Sequence, residues 1–260
     1  MIAPMRIPTE GLKIIFCACR QLEYVDFRQD DGAVDDSVVM CLAENNSSLS
    51  ILNLMCPSAI TDASLTKLAD CCSQMKEINI FATSAPISEA TLIACFNRWP
   101  LLEGLSVGFT DVVVAALCTS CPRMKVFGLQ EASITDASID TIAETYPGLE
   151  LIHLPATISP DAVKTLVMKC NKIRSLGVDT NTTINDGVFA SVAEYCKDLE
   201  ILLVEDCPLV TAVGLGFVVS HCKKLGSILA YGVGNNNTFN RELLDALTAT
   251  NPNIEWETDF

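Results

Sequence analysis

The sequence predicts an α/β solenoid, with parallel strands on one face, helices on the other, and about ten copies of one short pattern. Three observations carry this reading. Each copy opens on an apolar residue, followed five and eight positions later by two more. A Cys, Asn or aromatic stands at position twelve, and apolar residues return near fifteen, eighteen and twenty. The pattern then recurs along nearly the whole chain, and repetition at roughly 20–50 residues marks a stacked array.

The columns can be followed copy by copy. Ile60, Leu65, Leu68, Cys72, Met75, Ile78 and Ile80 form one copy; Ile184, Phe189, Val192, Cys196, Leu199, Leu202 and Val204 form another. The opening column runs Ile7, Val34, Ile60, Ile87, Phe109, Ile134, Ile158, Ile184, Val210, Phe239. The position-twelve column runs Cys19, Asn46, Cys72, Trp99, Cys121, Tyr146, Cys170, Cys196, Cys222, Asn251. The next column runs from Leu22 to Ile254, with successive members 22 to 29 residues apart. The columns are expected to break only in the last copy, where Glu257 and Asp259 stand at the apolar pair.

Two periods alternate inside a copy. Ile60, Leu65, Leu68 and Cys72 lie at helical spacing, and Leu52 and Leu54 at strand spacing. The turn into the helix often carries Thr-Asp or a near variant, as in Thr61-Asp62, Thr110-Asp111, Thr135-Asp136 and Asn185-Asp186. Side-chain oxygens there can accept from the first backbone N–H groups of the helix, and the Asp charge suits its positive end. The loop is nearly deleted in the fourth copy, where Gly108 alone separates Val107 from Phe109. The stretch from Gly232 to Thr238 in the ninth copy is expected to be a mobile surface loop.

One copy cannot bury both sides of its own apolar layer, so stacking is obligatory. Residues 1–260 therefore read as a single domain of about nine to ten repeats. It would enter on an open half-repeat at 7–19, covered by another chain or by further sequence. A polar cap at 254–260, where Trp256 and Phe260 alternate with Glu255, Glu257 and Asp259, would close it.

These motifs resemble the leucine-rich repeat family in its cysteine-containing subtype, over residues 7 to 256. The strand consensus L-x-x-L-x-L is matched by Leu22-x-x-Val25-x-Phe27, Leu49-x-x-Leu52-x-Leu54, Leu102-x-x-Leu105-x-Val107 and Leu199-x-x-Leu202-x-Val204. The Cys that closes the subtype's helix matches Cys19, Cys72, Cys121, Cys170, Cys196 and Cys222. The Cys or Asn after the strand matches Cys207, with Cys56 and Asn181 as further candidates. The resemblance implies a right-handed α/β horseshoe with its sheet on the concave face. Many repeats of this subtype belong to substrate receptors of cullin-RING ubiquitin ligases, where an F-box precedes the solenoid; no F-box is visible here.

Composition narrows the partners. The formal net charge is −15, which argues against nucleic acid or an anionic membrane and leaves a protein partner with a basic surface open. No segment reaches the roughly 20 apolar residues of a membrane span. Arg6 and Glu10 leave no signal-peptide layout at the N-terminus. The 13 Cys follow the repeat, as small buried hydrophobes in a reducing interior, cytoplasmic or nuclear. The sequons at Asn46, Asn181 and Asn236 are then incidental.

Catalytic chemistry finds little support. Cys118-x-x-Cys121 lacks the second pair or His that a zinc site needs. A nucleophile and base would need His, and only His153 and His221 exist. No phosphate loop is present, and no spacing calls for a cofactor. The expectation is a non-enzymatic protein.

The outward strand positions are more informative. They would line the concave face, with Phe81, Phe109, His153, Leu203, Leu229 and Tyr231 as apolar anchors, joined by Leu151 and Ile201. Gln130, Asp179, Glu205 and Asp206 would supply polar contacts, the three acids meeting basic groups. The function expected is a protein-binding module, in its finer form substrate recognition for an SCF-type ubiquitin ligase. A cytoskeletal or signalling scaffold, an effector secreted into a host and a structural segment of a larger protein stay open. A Cys-based redox or metal protein is the remote alternative.

Overall fold

A computed structural model describes residues 7–27, 34–55, 60–81, 87–129, 132–234 and 241–258. Among them ten helices alternate with ten strands. The chain divides into two compact units, Met1–Met124 and Lys125–Phe260.

The first unit holds α1 (Thr9–Ala18), β1 (Tyr24–Phe27), α2 (Asp36–Asn45), β2 (Ile51–Met55), α3 (Asp62–Cys71), β3 (Glu77–Phe81), α4 (Glu89–Phe96), β4 (Gly104–Ser106) and α5 (Asp111–Ser120). The second holds β5 (Val126–Gly128), α6 (Asp136–Thr145), β6 (Leu151–Leu154), α7 (Pro160–Lys169), β7 (Ser175–Asp179), α8 (Asp186–Tyr195), β8 (Ile201–Glu205), α9 (Ala212–His221), β9 (Ser227–Tyr231), α10 (Arg241–Thr250) and β10 (Glu255–Thr258). Within each unit the strands pair in chain order and in parallel.

Period-two alternation decides which side chains face the helices. In the first unit Val25, Leu52, Ile78 and Leu105 are register partners and all are buried. In the second, Phe127, Ile152, Leu176, Leu202 and Ile228 do the same. The helices answer with Leu65 and Leu68, Ile139 and Ile142, or Val188 and Val192, also buried. Each such side chain contributes about 1.5–3 kcal/mol.

The last copy departs from the expected break. Trp256 pairs with Ile228 and Thr258 with Ala230. The span from Ile254 to Trp256 is one residue shorter than that from Leu225 to Ile228, so the alternation slips by one. Trp256 returns to the inward column, half-buried, and Glu255 and Glu257 are exposed. Asp259 and Phe260 lie outside the described residues, as do Asn235 to Thr238 of the ninth loop.

Helix starts follow the Thr-Asp reading. Thr61 accepts from the Ala63 N–H at 3.2 Å and Asn185 from Gly187 at 3.0 Å. Thr110 accepts from Val113, while the Thr135 side chain does not cap α6. The Asp that follows does more than suit the dipole. The Asp36 carboxylate accepts the Thr61 N–H at 2.8 Å and its hydroxyl at 2.6 Å. Asp62 accepts the Ser88 N–H and Asp136 the Ser159 N–H. The first residue of one helix thus holds the cap of the next.

The position-twelve column is a second ladder. Cys72 Sγ donates to the Asn46 carbonyl at 3.5 Å, Trp99 Nε1 to the Cys72 carbonyl at 3.1 Å and Cys121 Sγ to the Trp99 carbonyl at 3.6 Å. In the second unit Cys170 donates to Tyr146 and Cys222 to Cys196. The Cys and Trp side chains there each donate to a carbonyl at the preceding helix end, a group the helix itself leaves without a partner. These cysteines are therefore donors as well as small hydrophobes. The sequon residues Asn46 and Asn181 are buried and spend their amides on backbone groups.

Candidate interaction face

The strand face turned away from the helices differs between the two units. In the first unit its middle column is polar, and two of its members pair with each other. Asp26, Asn53, Asn79 and Ser106 are register partners. Asn79 Nδ2 donates to Asn53 Oδ1 and to Glu77 Oε1, both at 2.7 Å, and the Tyr24 hydroxyl donates to Asp26.

In the second unit that column turns apolar. Gly128, His153, Gly177, Leu203 and Leu229 are register partners. His153, Leu203 and Leu229 are half-buried. Leu151 and Ile201 lie one column over, either side of Ser175, and Ile201 is 43% exposed. Strands about 4.8 Å apart bring these groups together on one open surface.

Gly177 makes room for His153. A Cβ on Gly177 would lie 2.5 Å from His153 Cδ2, so the ring lies against the neighbouring strand where only a hydrogen fits. Burial holds the imidazole below its ordinary value against the opposing pull of Asp179. A neutral imidazole at pH 7 is part of the apolar surface rather than a charge on it.

Acids rim one side. Asp179, Glu205 and Tyr231 are register partners at the strand ends. Asp206 follows, exposed, with its backbone left-handed at φ 47° and its N–H donated to the Tyr231 carbonyl at 2.9 Å. Thr180 repeats this one strand earlier at φ 50°, donating to the Glu205 carbonyl at 2.8 Å. A non-glycine residue in that region costs roughly 1–2 kcal/mol, set here against inter-strand hydrogen bonds that carry the ladder one residue past each strand.

Not every expected anchor lies on this face. Phe109 is a correction: it is buried at 2% exposure. It belongs to the opening column with Ile60 and Ile134, and the shortened loop leads it directly under the start of α5. Phe81 is the last residue of β3, in the first unit. Gln130 lies outside the described residues. His153, Asp179, Leu203, Glu205, Asp206, Leu229 and Tyr231 all fall in the second unit. Sequence reading missed the part played by Gly177, whose signal is a glycine beside a bulky outward residue at the same strand position.

Other chemistry is sparse. The described residues contain no group of three or more His, Cys, Asp or Glu placed to hold a metal ion. No helix among them is long and apolar enough to cross a membrane.

No family model matches the chain. Two curated proteins of Arabidopsis thaliana do. GRR1-like protein 1 is 25% identical over 288 residues, covering 95% of this chain and 44% of that protein. F-box protein FBX14 is 27% identical over 246 residues, covering 86% and 38%. The chain thus spans less than half the length of these relatives. Among solved structures, the yeast Rad7–Elc1 complex matches with a TM-score of 0.62 at 14% identity, over 96% of this chain and 77% of that one. An internalin, inlF, from Listeria monocytogenes matches with a TM-score of 0.50 at 15% identity, over 96% and 69%. Those likenesses show the fold, and with the strand–loop–helix register they decide the class.

The chain has a leucine-rich repeat fold. The leucine-rich repeat motif L-x-x-L-x-L accounts for the buried strand columns, while the residues between them vary freely. That freedom lets one leucine-rich repeat unit carry a polar middle column and the other an apolar one.

Proposed function

We propose that this chain is a non-enzymatic protein-binding module whose second unit presents the binding face. Leu203, Leu229 and Tyr231 are the apolar anchors, with His153, Leu151 and Ile201 extending the surface. Asp179, Glu205 and Asp206 meet basic groups at its edge. The observation that carries this reading is the run of apolar register partners on an open sheet face. Contiguous exposed apolar surface marks interaction sites, and aromatics are favoured anchors. The acidic rim and the net charge of −15 favour a partner with basic side chains beside apolar ones.

The finer proposal is substrate recognition for an SCF-type ubiquitin ligase. It is supported by relatives named as GRR1-like and F-box proteins and by a fold shared with Rad7, solved in complex with Elc1. Affinity capture from native extract tests it. Cullin-ligase subunits captured with the intact chain, together with a client lost on Leu203→Asp/Tyr231→Asp, support it. Reproducible capture of other proteins without ligase subunits favours a scaffold and removes the finer reading.

A further inference from the structure

Twelve free cysteines are described, and seven of them are buried. Cys17 and Cys41 differ from those seven. Cys17 lies on α1 and is exposed; Cys41 lies on α2 and is half-exposed. Their Sγ atoms are 3.6 Å apart across the packed helices. The contact joins residues 24 positions apart, so it is a tertiary pair, not a feature of one helix.

The surroundings favour sulfur chemistry there. Asn45 Nδ2 lies 3.8 Å from both sulfurs, held in place by a 2.8 Å bond to the Cys41 carbonyl. An amide placed so can donate to whichever sulfur carries charge. Cys41 Sγ donates to the Lys13 carbonyl at 3.7 Å. A disulfide needs about 2.05 Å between sulfurs, so the gap must close by roughly 1.5 Å.

We propose that Cys17 and Cys41 form a reversible, peroxide-sensitive dithiol that ties α1 to α2 on oxidation. Cys17, reached by solvent, attacks as the thiolate. Its sulfur bonds to one peroxide oxygen, the O–O bond breaks, and the departing hydroxide takes up the thiol proton as water. Cys41 then attacks Cys17 Sγ of the resulting sulfenic acid. The S–S bond forms, the S–O bond breaks, and a second water leaves. Two thiols lose two electrons and hydrogen peroxide gains them. Burial, with Cys17 alongside, raises Cys41 above the ordinary thiol value, which suits the resolving sulfur rather than the attacking one.

The consequence is local to the first unit. Helix α1 packs on α2 and leaves Ile14 and Ile15 exposed. The bond would fix this helix to its neighbour and close a loop that contains β1.

Peptide mapping of the reduced full chain after hydrogen peroxide treatment tests the proposal. The expected product is a Cys17–Cys41 cross-linked peptide, two hydrogens lighter than its parts and released by dithiothreitol. Cys41→Ser should carry several-fold more dimedone-trapped sulfenic acid at Cys17, with an unchanged circular dichroism spectrum. Cys17 going on to sulfinic acid in the unsubstituted chain, with no cross-link, would overturn the proposal. So would a bond from Cys17 to neighbouring Cys19, or trapping at Cys17 that does not rise in Cys41→Ser.

Discussion

The Asp186 carboxylate at the start of α8 accepts two hydrogen bonds from Thr211, the cap of α9. One comes from the backbone N–H at 2.8 Å and one from the hydroxyl at 2.7 Å. Thr211 Oγ1 in turn accepts the Val213 N–H at 3.1 Å. One carboxylate therefore fixes both the entry of α9 and its distance from α8. Gly214 belongs to the same contact, since a Cβ there would lie 2.4 Å from Asp186 Oδ1. Asp186→Ala is expected to cost about 2 kcal/mol, the range for hydrogen bonds to a charged group, read as a lower urea midpoint. Gly214→Ala should cost a similar amount by pushing the carboxylate aside. The double variant should cost much less than the two together, because both break one contact. Full additivity would refute the shared contact.

The His153 ring against Gly177 gives a second prediction. Gly177→Ala should drive the imidazole off the strand and into water. NMR titration should then find His153 closer to its ordinary value than in the unsubstituted chain. The sign for stability follows from the same shift. A histidine held below its unfolded value of 6.5 stabilises the fold above that pH. The contribution is lost as pH falls through the folded value. Acidification below about 6.5 should therefore destabilise the native chain, and Gly177→Ala should weaken that dependence. An unmoved titration would show that the ring was not held by the glycine.

The buried thiols predict an alkaline weakness. Burial pushes Cys72, Cys95, Cys121 and Cys196 up to about 12, and Cys170, Cys207 and Cys222 up to about 11, from 9.0. Their protons stay on in the fold and leave in the unfolded chain. The stabilisation is fully present below pH 9 and is lost as pH rises through 11 to 12. The slope is up to about 1.4 kcal/mol per thiol per pH unit. The melting temperature should be flat from pH 7 to 8.5 and fall steeply by pH 10. Native-state alkylation at pH 8 should spare these cysteines and label the exposed Cys17 and Cys19 first. A melting temperature unchanged at pH 10 would count against the buried ladder.

Much of this was legible in the chain. Columns such as Leu52, Ile78 and Leu105 name the buried strand positions because a period of two admits no other assignment. The position-twelve column was visible, but its hydrogen-bonding role was not. Cys and Trp share a donor role only once a carbonyl of the preceding repeat is known to face them. The staples from Asp36 and Asp186 were hidden for a similar reason, since the acceptor lies one repeat away from its donor. Phe109 was misplaced because a shortened loop puts strand end and helix entry one residue apart. Trp256 was missed because a one-residue deletion moved the inward register. The contrast between the polar column of Asn53 and Asn79 and the apolar column of Leu203 and Leu229 could be listed from sequence. Knowing that Asn79 donates to Asn53 within the polar one required the structure.

The central claim is that the open face of the second unit captures a protein partner. The most direct test is quantitative capture by the intact chain beside two variants matched for stability. One is Leu203→Asp/Tyr231→Asp on the face; the other is Val112→Asp, at an exposed apolar site on α5 in the first unit. The account predicts at least a tenfold loss of captured partner for the double variant, about 1.4 kcal/mol or more. It predicts no loss for Val112→Asp and little change in melting temperature for either. Equal capture by all three chains, or equal loss from both variants, would contradict it.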